Sequence, residues 1–374
     1  MSRISFSDHT LLNLYQSCDE NIQYAPLEKL HYIEFNSSTF GIDINNNSNN
    51  SQNDDGPDKH LIVLLHGSFQ TCHTFDDFIE EFYKYQEEKK QPIESFRFVS
   101  VDLRGHGDSS HTPNRYDMEG FVTDLILFLV KYWNNGSEKF DSVSFIGMSL
   151  GGIILMNTLL TDRKSTVSLS GLDTNVLQTF QTILKNHLYS ISLIDISPDQ
   201  IPVHNSQIPQ GTQSVSQQVK ATQTFNSFEE FLSWAQKYNP RRSVENLTTR
   251  LKYSLKCDTE TNLWTWKYDP TFSIDTLARR SDMNLREELW NSLERNAKES
   301  ELPIRISIVR GAESSVTTKE QLEKLYTILS TSKHFHCNYV EISKAGHSVL
   351  GDNPKEYIEN YYGSLFIPQK RSKH

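Results

Sequence analysis

The chain carries a hydroxyl, an imidazole and glycine-flanked backbone amides at positions where an acyl carbon could be attacked. The first such place is Gly147-Met148-Ser149-Leu150-Gly151, a G-x-S-x-G pattern. It follows the apolar run SVSFIG at 142–147 and precedes a helix predicted over about 150–160. A sharp strand-to-helix turn would hold Ser149 in a strained conformation and lift its hydroxyl clear of the sheet. Side chains at positions 147 and 151 would crowd that turn, hence the two glycines, and Gly152 would let the first helical turn pack closely on the sheet. A serine presented in this way becomes a nucleophile once a neighbouring base takes its proton.

The expected base is His347, in ISKAGHSVLG, a small-residue loop after the last predicted strand and before the last helix. It lies far along the chain, in keeping with the order serine, acid, histidine. Two backbone donors could hold the oxyanion that forms on attack. The Leu150 N–H stands at a helix N-terminus, and the Ser68 N–H follows His66-Gly67 at the end of another apolar strand. His66 itself is expected to bond within its loop. The glycine-rich turn DLRGHGDS, Asp102 to Ser109, is expected to shape the wall of the site, with no catalytic step for His106 or Asp108.

These groups need a frame. LHYIEF (30–35), LIVLLHG (61–67), FRFVSVD (96–102), SVSFIG (142–147), YSISLID (ending at Asp195), RISIVRG (305–311) and HCNYVEI (336–342) read as strands, and LIVLL is continuously apolar, as a strand covered on both faces should be. Helices are predicted around 76–85, 118–133, 150–160, 319–329 and 354–362. Between 118 and 133, Phe121, Val122, Leu125, Ile126, Leu129 and Val130 recur at spacings of three and four. This alternation implies an α/β fold with a mostly parallel sheet and helices on both faces. Two stretches read as insertions, an Asn-rich one at about 44–59, expected to be disordered, and a polar one at about 163–186. Residues 199–298 show helical candidates at 228–238, 244–256 and 284–298 and no strand alternation, so they are expected to form a helical cap between two parts of the core, 1–198 and 299–374. Four of the five tryptophans, Trp234, Trp264, Trp266 and Trp290, fall in that block, either as the cap's own core or as an apolar acyl pocket.

Composition narrows the partners. A length of 374 residues allows a large core, and a net charge of -10 argues against a nucleic-acid surface. The four cysteines are widely spaced with no CxxC pair, which argues against a disulfide framework or a zinc site and for a reducing compartment. No apolar h-region opens the chain and no membrane-length apolar run occurs, so a cytoplasmic location without a membrane span is expected.

Taken together, HGS, DLRGHGDS, GMSLGG and AGHS, in this order on alternating strands and helices, resemble the α/β-hydrolase fold. The cap segment WTWKYDPTF with AGHSVLGD is similar to uncharacterised microbial hydrolases, and LIDISP (193–198) resembles esterases of the protein phosphatase methylesterase type. The resemblance implies a triad acid. Its usual place follows the strand ending at Gly311, where the loop RGAESSVTT holds no aspartate and offers only Glu313. The methylesterase-type proteins carry the acid one strand earlier, which here is Asp195; Glu313 is the alternative. The implied activity is hydrolysis of a carboxylic ester or related acyl compound, with a small-molecule substrate and neither metal nor organic cofactor. An acyltransferase using the same acyl-enzyme, and a non-catalytic ligand-binding role signalled by the altered RGAESSV loop, are the competing readings. A dehalogenase or epoxide hydrolase would want a carboxylate where Ser149 stands.

Overall fold

The alternation of apolar strands and amphipathic helices gives the architecture expected of it. The computed structural model describes residues 7–12, 29–36, 59–89, 95–113, 115–136, 138–161, 172–200, 223–238, 242–272 and 285–361. The first half runs β1 (Ser7–Leu12), β2 (Lys29–Phe35), β3 (His60–Leu65), α1 (Asp76–Glu88), β4 (Phe96–Val101), α2 (Met118–Asn135), β5 (Ser142–Met148), α3 (Leu150–Leu155), α4 (Thr174–His187) and β6 (Leu188–Ile194). An inserted segment follows, with β7 (Thr224–Phe225), α5 (Phe228–Tyr238), α6 (Val244–Leu251), β8 (Leu255–Cys257), β9 (Trp264–Trp266) and α7 (Leu285–Glu299). The chain then returns through β10 (Ile304–Gly311), α8 (Lys319–Leu329), β11 (Phe335–Ile342), α9 (Val349–Asp352) and α10 (Pro354–Tyr361).

Eight strands form one sheet in the order β1-β2-β4-β3-β5-β6-β10-β11. From β4 to β11 every pairing is parallel, while β2 runs antiparallel to both β1 and β4. The strand period of two sorts side chains between two cores. Leu61, Val63 and Leu65 of β3 join the core under α2, α4 and α8, whereas Ile62 and Leu64 join the core under α1 and α10. Phe145 and Ile146 of β5 divide in the same way. Burial on both faces explains why β3, β5 and β6 are apolar with so little interruption.

Two expectations need correction. The stretch 163–186 is not a plain polar insertion, because 174–187 form α4, capped by the Asp173 side chain. Phe180, Ile183 and Leu184 lie at spacings of three and four and are all buried against the sheet. Each such burial is worth about 1.5–3 kcal/mol, enough to order a helix whose other faces are polar. The inserted segment, in turn, is not wholly helical. β7, β9 and β8 form a three-stranded antiparallel sheet, with strands of two or three residues too short to display alternation in sequence. The predicted helix at 244–256 stops at Leu251, and the chain turns into β8. The Asn-rich stretch, apart from Lys59, lies outside the described residues, as does 163–171.

One charged pair fixes the turn after β4. The buried Arg104 guanidinium donates twice to Asp124 on α2, Nε to Oδ2 at 2.6 Å and Nη2 to Oδ1 at 2.7 Å. A carboxylate in an otherwise apolar helix face is thereby paid for. Replacing Asp124 by Asn should leave the buried guanidinium uncompensated and cost about 3–5 kcal/mol, measurable as a fall in the urea midpoint at unchanged m-value.

Candidate active site

The crowding inferred at the Ser149 turn is present in the structure. Ser149 has φ 51° and ψ −116°, a region that side-chain-bearing residues rarely occupy. A Cβ on Gly151 would lie 2.2 Å from the Leu65 carbonyl oxygen, and one on Gly147 would lie 2.6 Å from the Gly151 carbonyl oxygen. A Cβ on Gly152 would lie 2.4 Å from the side chain of Ile196, two residues past β6, so this glycine lets the first turn of α3 pack against the segment that follows that strand. β3, β5 and α3 thus meet at backbone distance. Gly151 N–H donates to His66 O at 3.1 Å, which draws the loop after β3 onto the turn. A Cβ on Gly67 would lie 3.1 Å from Ser149 Cβ, so Gly67 lies against the serine. Leu150 opens α3, where helix geometry supplies no partner for its N–H.

The structure also brings together His347 and Asp195. His347 Nδ1 and Asp195 Oδ2 are 2.6 Å apart, with Asp195 fully buried and the histidine side chain 29% exposed. Asp195, the residue after β6, has φ 50°, and its carboxylate accepts three more bonds. These come from Gly311 N–H at 3.2 Å, Ser314 Oγ at 2.6 Å and Thr317 Oγ1 at 2.7 Å. The RGAESSVTT loop has therefore not lost a role. It supplies the hydroxyls that hold a carboxylate arriving from the neighbouring strand. Glu313 in the same loop is exposed, and no hydrogen bond joins it to the His347 ring. Among the described residues, Ser149 Oγ and His347 Nε2 make no hydrogen bond to each other, and the ring's Nδ1 is committed to Asp195.

Sequence reading missed Ser314 and Thr317 because it searched that loop for an acid. Their spacing of three after a strand end, with neither side chain apolar, was the available signal. His66 behaves as expected, with Nδ1 donating to Gly67 O at 2.7 Å and Nε2 accepting from Leu103 N–H at 3.0 Å.

The glycine-rich turn after β4 carries part of the inserted segment. Asp102 is buried and accepts from His31 Nδ1 at 2.6 Å and from the N–H groups of Cys72 and Asp108 at 2.7 and 3.0 Å. Burial pushes its carboxyl up, but the His31 bond and the nearby His66 and His31 rings outweigh this and hold it well below the usual carboxylate range. His31, Cys72 and Asp102 place potential ligand atoms within 4.8 Å of one another. The amide bonds to Asp102 and the raised pKa of the buried Cys72 thiol mark this group as a brace of the turn. Burial lowers His66 despite the nearby Asp102, and it brings His106 down to about 3. Asp269 of the inserted segment donates its N–H to Gly105 O at 2.8 Å and accepts from Tyr116 Oη. Lys267 Nζ pairs with Asp108 at 2.6 Å. Phe69 packs edge-on against Tyr268 and Phe272, with centroids 4.9 and 5.3 Å away. Trp234, Trp264 and Trp266 pack with Phe225, Phe231 and Leu255 into a separate small core, while Trp290 joins the main one.

The chain belongs to the alpha/beta hydrolase family, whose sequence profile matches residues 62–360. No curated protein sequence matches it. Among solved structures, the peroxisomal alpha-beta-hydrolase of Saccharomyces cerevisiae is similar with a TM-score of 0.62 at 15% identity, covering 100% of this chain and 93% of that one. E-2-(acetamidomethylene)succinate hydrolase is similar with a TM-score of 0.61 at 14% identity, over 96% and 98% of the two chains. An esterase of Mycobacterium tuberculosis has a TM-score of 0.57 at 20% identity, over 90% and 89%. These likenesses concern the fold. Among the described residues, no helix is long and apolar enough to cross a membrane.

Two predictions follow from the buried polar groups. His60 and His106 have folded-state values of about 3 because of burial, against an ordinary 6.5. The unfolded chain takes up protons that the folded one refuses. Their contribution is thus complete above about pH 6.5 and is lost as pH falls toward 3, by about 1.4 kcal/mol per pH unit for each ring. Urea denaturation at pH 7.5 and 5 should show this slope, and His106→Gln should flatten it. Separately, Ser314→Ala and Thr317→Val each remove a bond to a buried carboxylate and should each destabilise the fold by about 1.5–3 kcal/mol in the same assay.

Proposed function

We propose that the chain is a serine hydrolase of carboxylic esters or related acyl compounds, with Ser149 as nucleophile, His347 as general base and Asp195 as the triad acid. The observation that carries this reading is the 2.6 Å bond between His347 and a fully buried Asp195, at the strand ends beside the strained Ser149 turn. In this mechanism His347 Nε2 takes the Ser149 proton as Oγ attacks the substrate carbonyl. The N–H groups of Leu150 and Ser68 receive the oxyanion. His347 then gives the proton to the leaving alcohol, and a water attacks the acyl-enzyme by the same route in reverse. Asp195 holds the ring so that Nδ1 carries hydrogen and Nε2 presents its lone pair. The serine–histidine bond that the free structure lacks is one that such enzymes often tighten only when substrate binds.

The inserted segment, residues 199–298, acts in this reading as a cap over the strand ends, between core parts 1–198 and 299–374. Its buried Tyr268 and Phe272 pack against Phe69, the residue after the second oxyanion donor, and so hold the segment onto that loop. Every step uses side-chain and backbone groups of the chain and a water, with no metal or organic cofactor.

A fluorophosphonate probe should label the wild type and not Ser149→Ala, and p-nitrophenyl esters of increasing acyl length should be hydrolysed only by the former. Asp195→Asn should lose about 10⁴-fold in kcat, the scale of a removed triad acid, while Glu313→Gln stays near wild type. The reverse pattern would move the acid to Glu313.

A further inference from the structure

The loop that carries His347 is tied to the inserted segment through one carboxylate. Asp352, at the end of α9, uses its two oxygens in opposite directions. Oδ2 accepts from Gly346 N–H at 2.9 Å, the amide next to His347. Oδ1 accepts from Arg242 of the inserted segment, from Nη2 at 2.8 Å and Nε at 3.1 Å. The pair is mostly shielded, with side chains 13% and 12% exposed, so solvent screens it less than a surface ion pair.

The surrounding geometry is built for this contact. A Cβ on Gly351 would lie 2.1 Å from Arg250 Nη1 and 2.9 Å from Arg242 Nη2, so a side chain there would displace both guanidinium groups from the histidine loop. Arg250 is anchored on the core side by Nη2 donating to Thr74 O at 2.8 Å. Beneath the loop, a Cβ on Gly311 would lie 2.0 Å from Gly346 O, so the peptide before His347 rests directly on the end of β10. Gly346 is therefore held from below by contact and from the side by Asp352. Asp352, in turn, is held by an arginine outside the core.

A plain structural brace would look similar in a static picture, but it would not explain why the tie crosses to the inserted segment at the residue before the base. We infer that Arg242 and Asp352 are positioning residues, and that His347 stands in line with Ser149 only while the inserted segment is seated. The inference rests on His347 being the general base. A displacement on the order of 1 Å at such a group costs about 100-fold in rate.

The test uses the full chain with p-nitrophenyl acetate, together with hydrogen exchange of peptides spanning 343–353. Arg242→Ala and Asp352→Asn should each lower kcat by roughly 10- to 100-fold with little change in KM. The double variant should be no slower than the slower single, because both break one path. Arg242→Lys, which keeps the charge but offers fewer bonds, should fall between wild type and Arg242→Ala. Exchange at 343–353 should rise in Arg242→Ala even though the substitution lies about a hundred positions away. Lys298→Ala breaks an exposed pair with Glu294 that lies wholly within the inserted segment, at 2.6 Å, and should keep the wild-type kcat. Unchanged kcat in Arg242→Ala, additive losses in the double variant, or unchanged exchange in a chain with native circular dichroism would each overturn the inference. Turnover that survives Ser149→Ala would instead overturn the triad reading, and the exchange result would still report on the tie.

Discussion

A fully buried carboxylate must find hydrogen-bond donors within the protein, because water cannot reach it. Asp195 meets that demand with four of them, drawn from three places in the chain. The β10 end gives an amide, the following loop gives two hydroxyls, and the loop after β11 gives an imidazole. Satisfying one carboxylate therefore fixes how β6, β10 and the histidine loop end relative to one another. The Ser149 turn is fixed by the opposite means, steric exclusion, since a side chain at Gly147, Gly151 or Gly152 would collide with the neighbouring backbone or with Leu155 and Ile196. One half of the site is built from polar saturation and the other from the absence of side chains.

Much of this was legible in the sequence, because the relevant signals are local. A glycine pattern around a serine, flanked by an apolar strand and helix, states its own geometry. Continuous apolar runs marked the central strands, and the period of three and four marked α2. What escaped was set by partners distant in sequence. Ser314 and Thr317 gain their meaning from Asp195, more than a hundred residues earlier, and a polar loop looks the same whether or not it faces a buried carboxylate. The strands of the small sheet escaped because two or three residues carry no period. α4 is a different case, since Phe180, Ile183 and Leu184 displayed a helical spacing that the polar residues between them masked.

The choice between Asp195 and Glu313 shows what tertiary structure adds. Spacing after β10 pointed to Glu313 as the only acid there, and resemblance pointed one strand earlier to Asp195. The two positions lie on adjacent parallel strands or just beyond them, so either could in principle reach an imidazole. The structure gives the ring to Asp195 and gives Asp195 the hydroxyls of the loop that holds Glu313. A loop without an aspartate of its own here donates two hydroxyls to a carboxylate from the neighbouring strand.

The inserted segment keeps its aromatic core apart from the two cores of the main sheet. Phe225, Phe231, Trp234 and Trp266 pack mainly on one another there, and their ring contacts reach the main core through Tyr268 against Phe69. Selection for a new substrate could rebuild that small core step by step while the strained turn and the buried carboxylate remain untouched. Evolvability in this fold is thus a matter of compartments, with tolerance for change sited in a small core that, among the described residues, contains no residue of the large sheet.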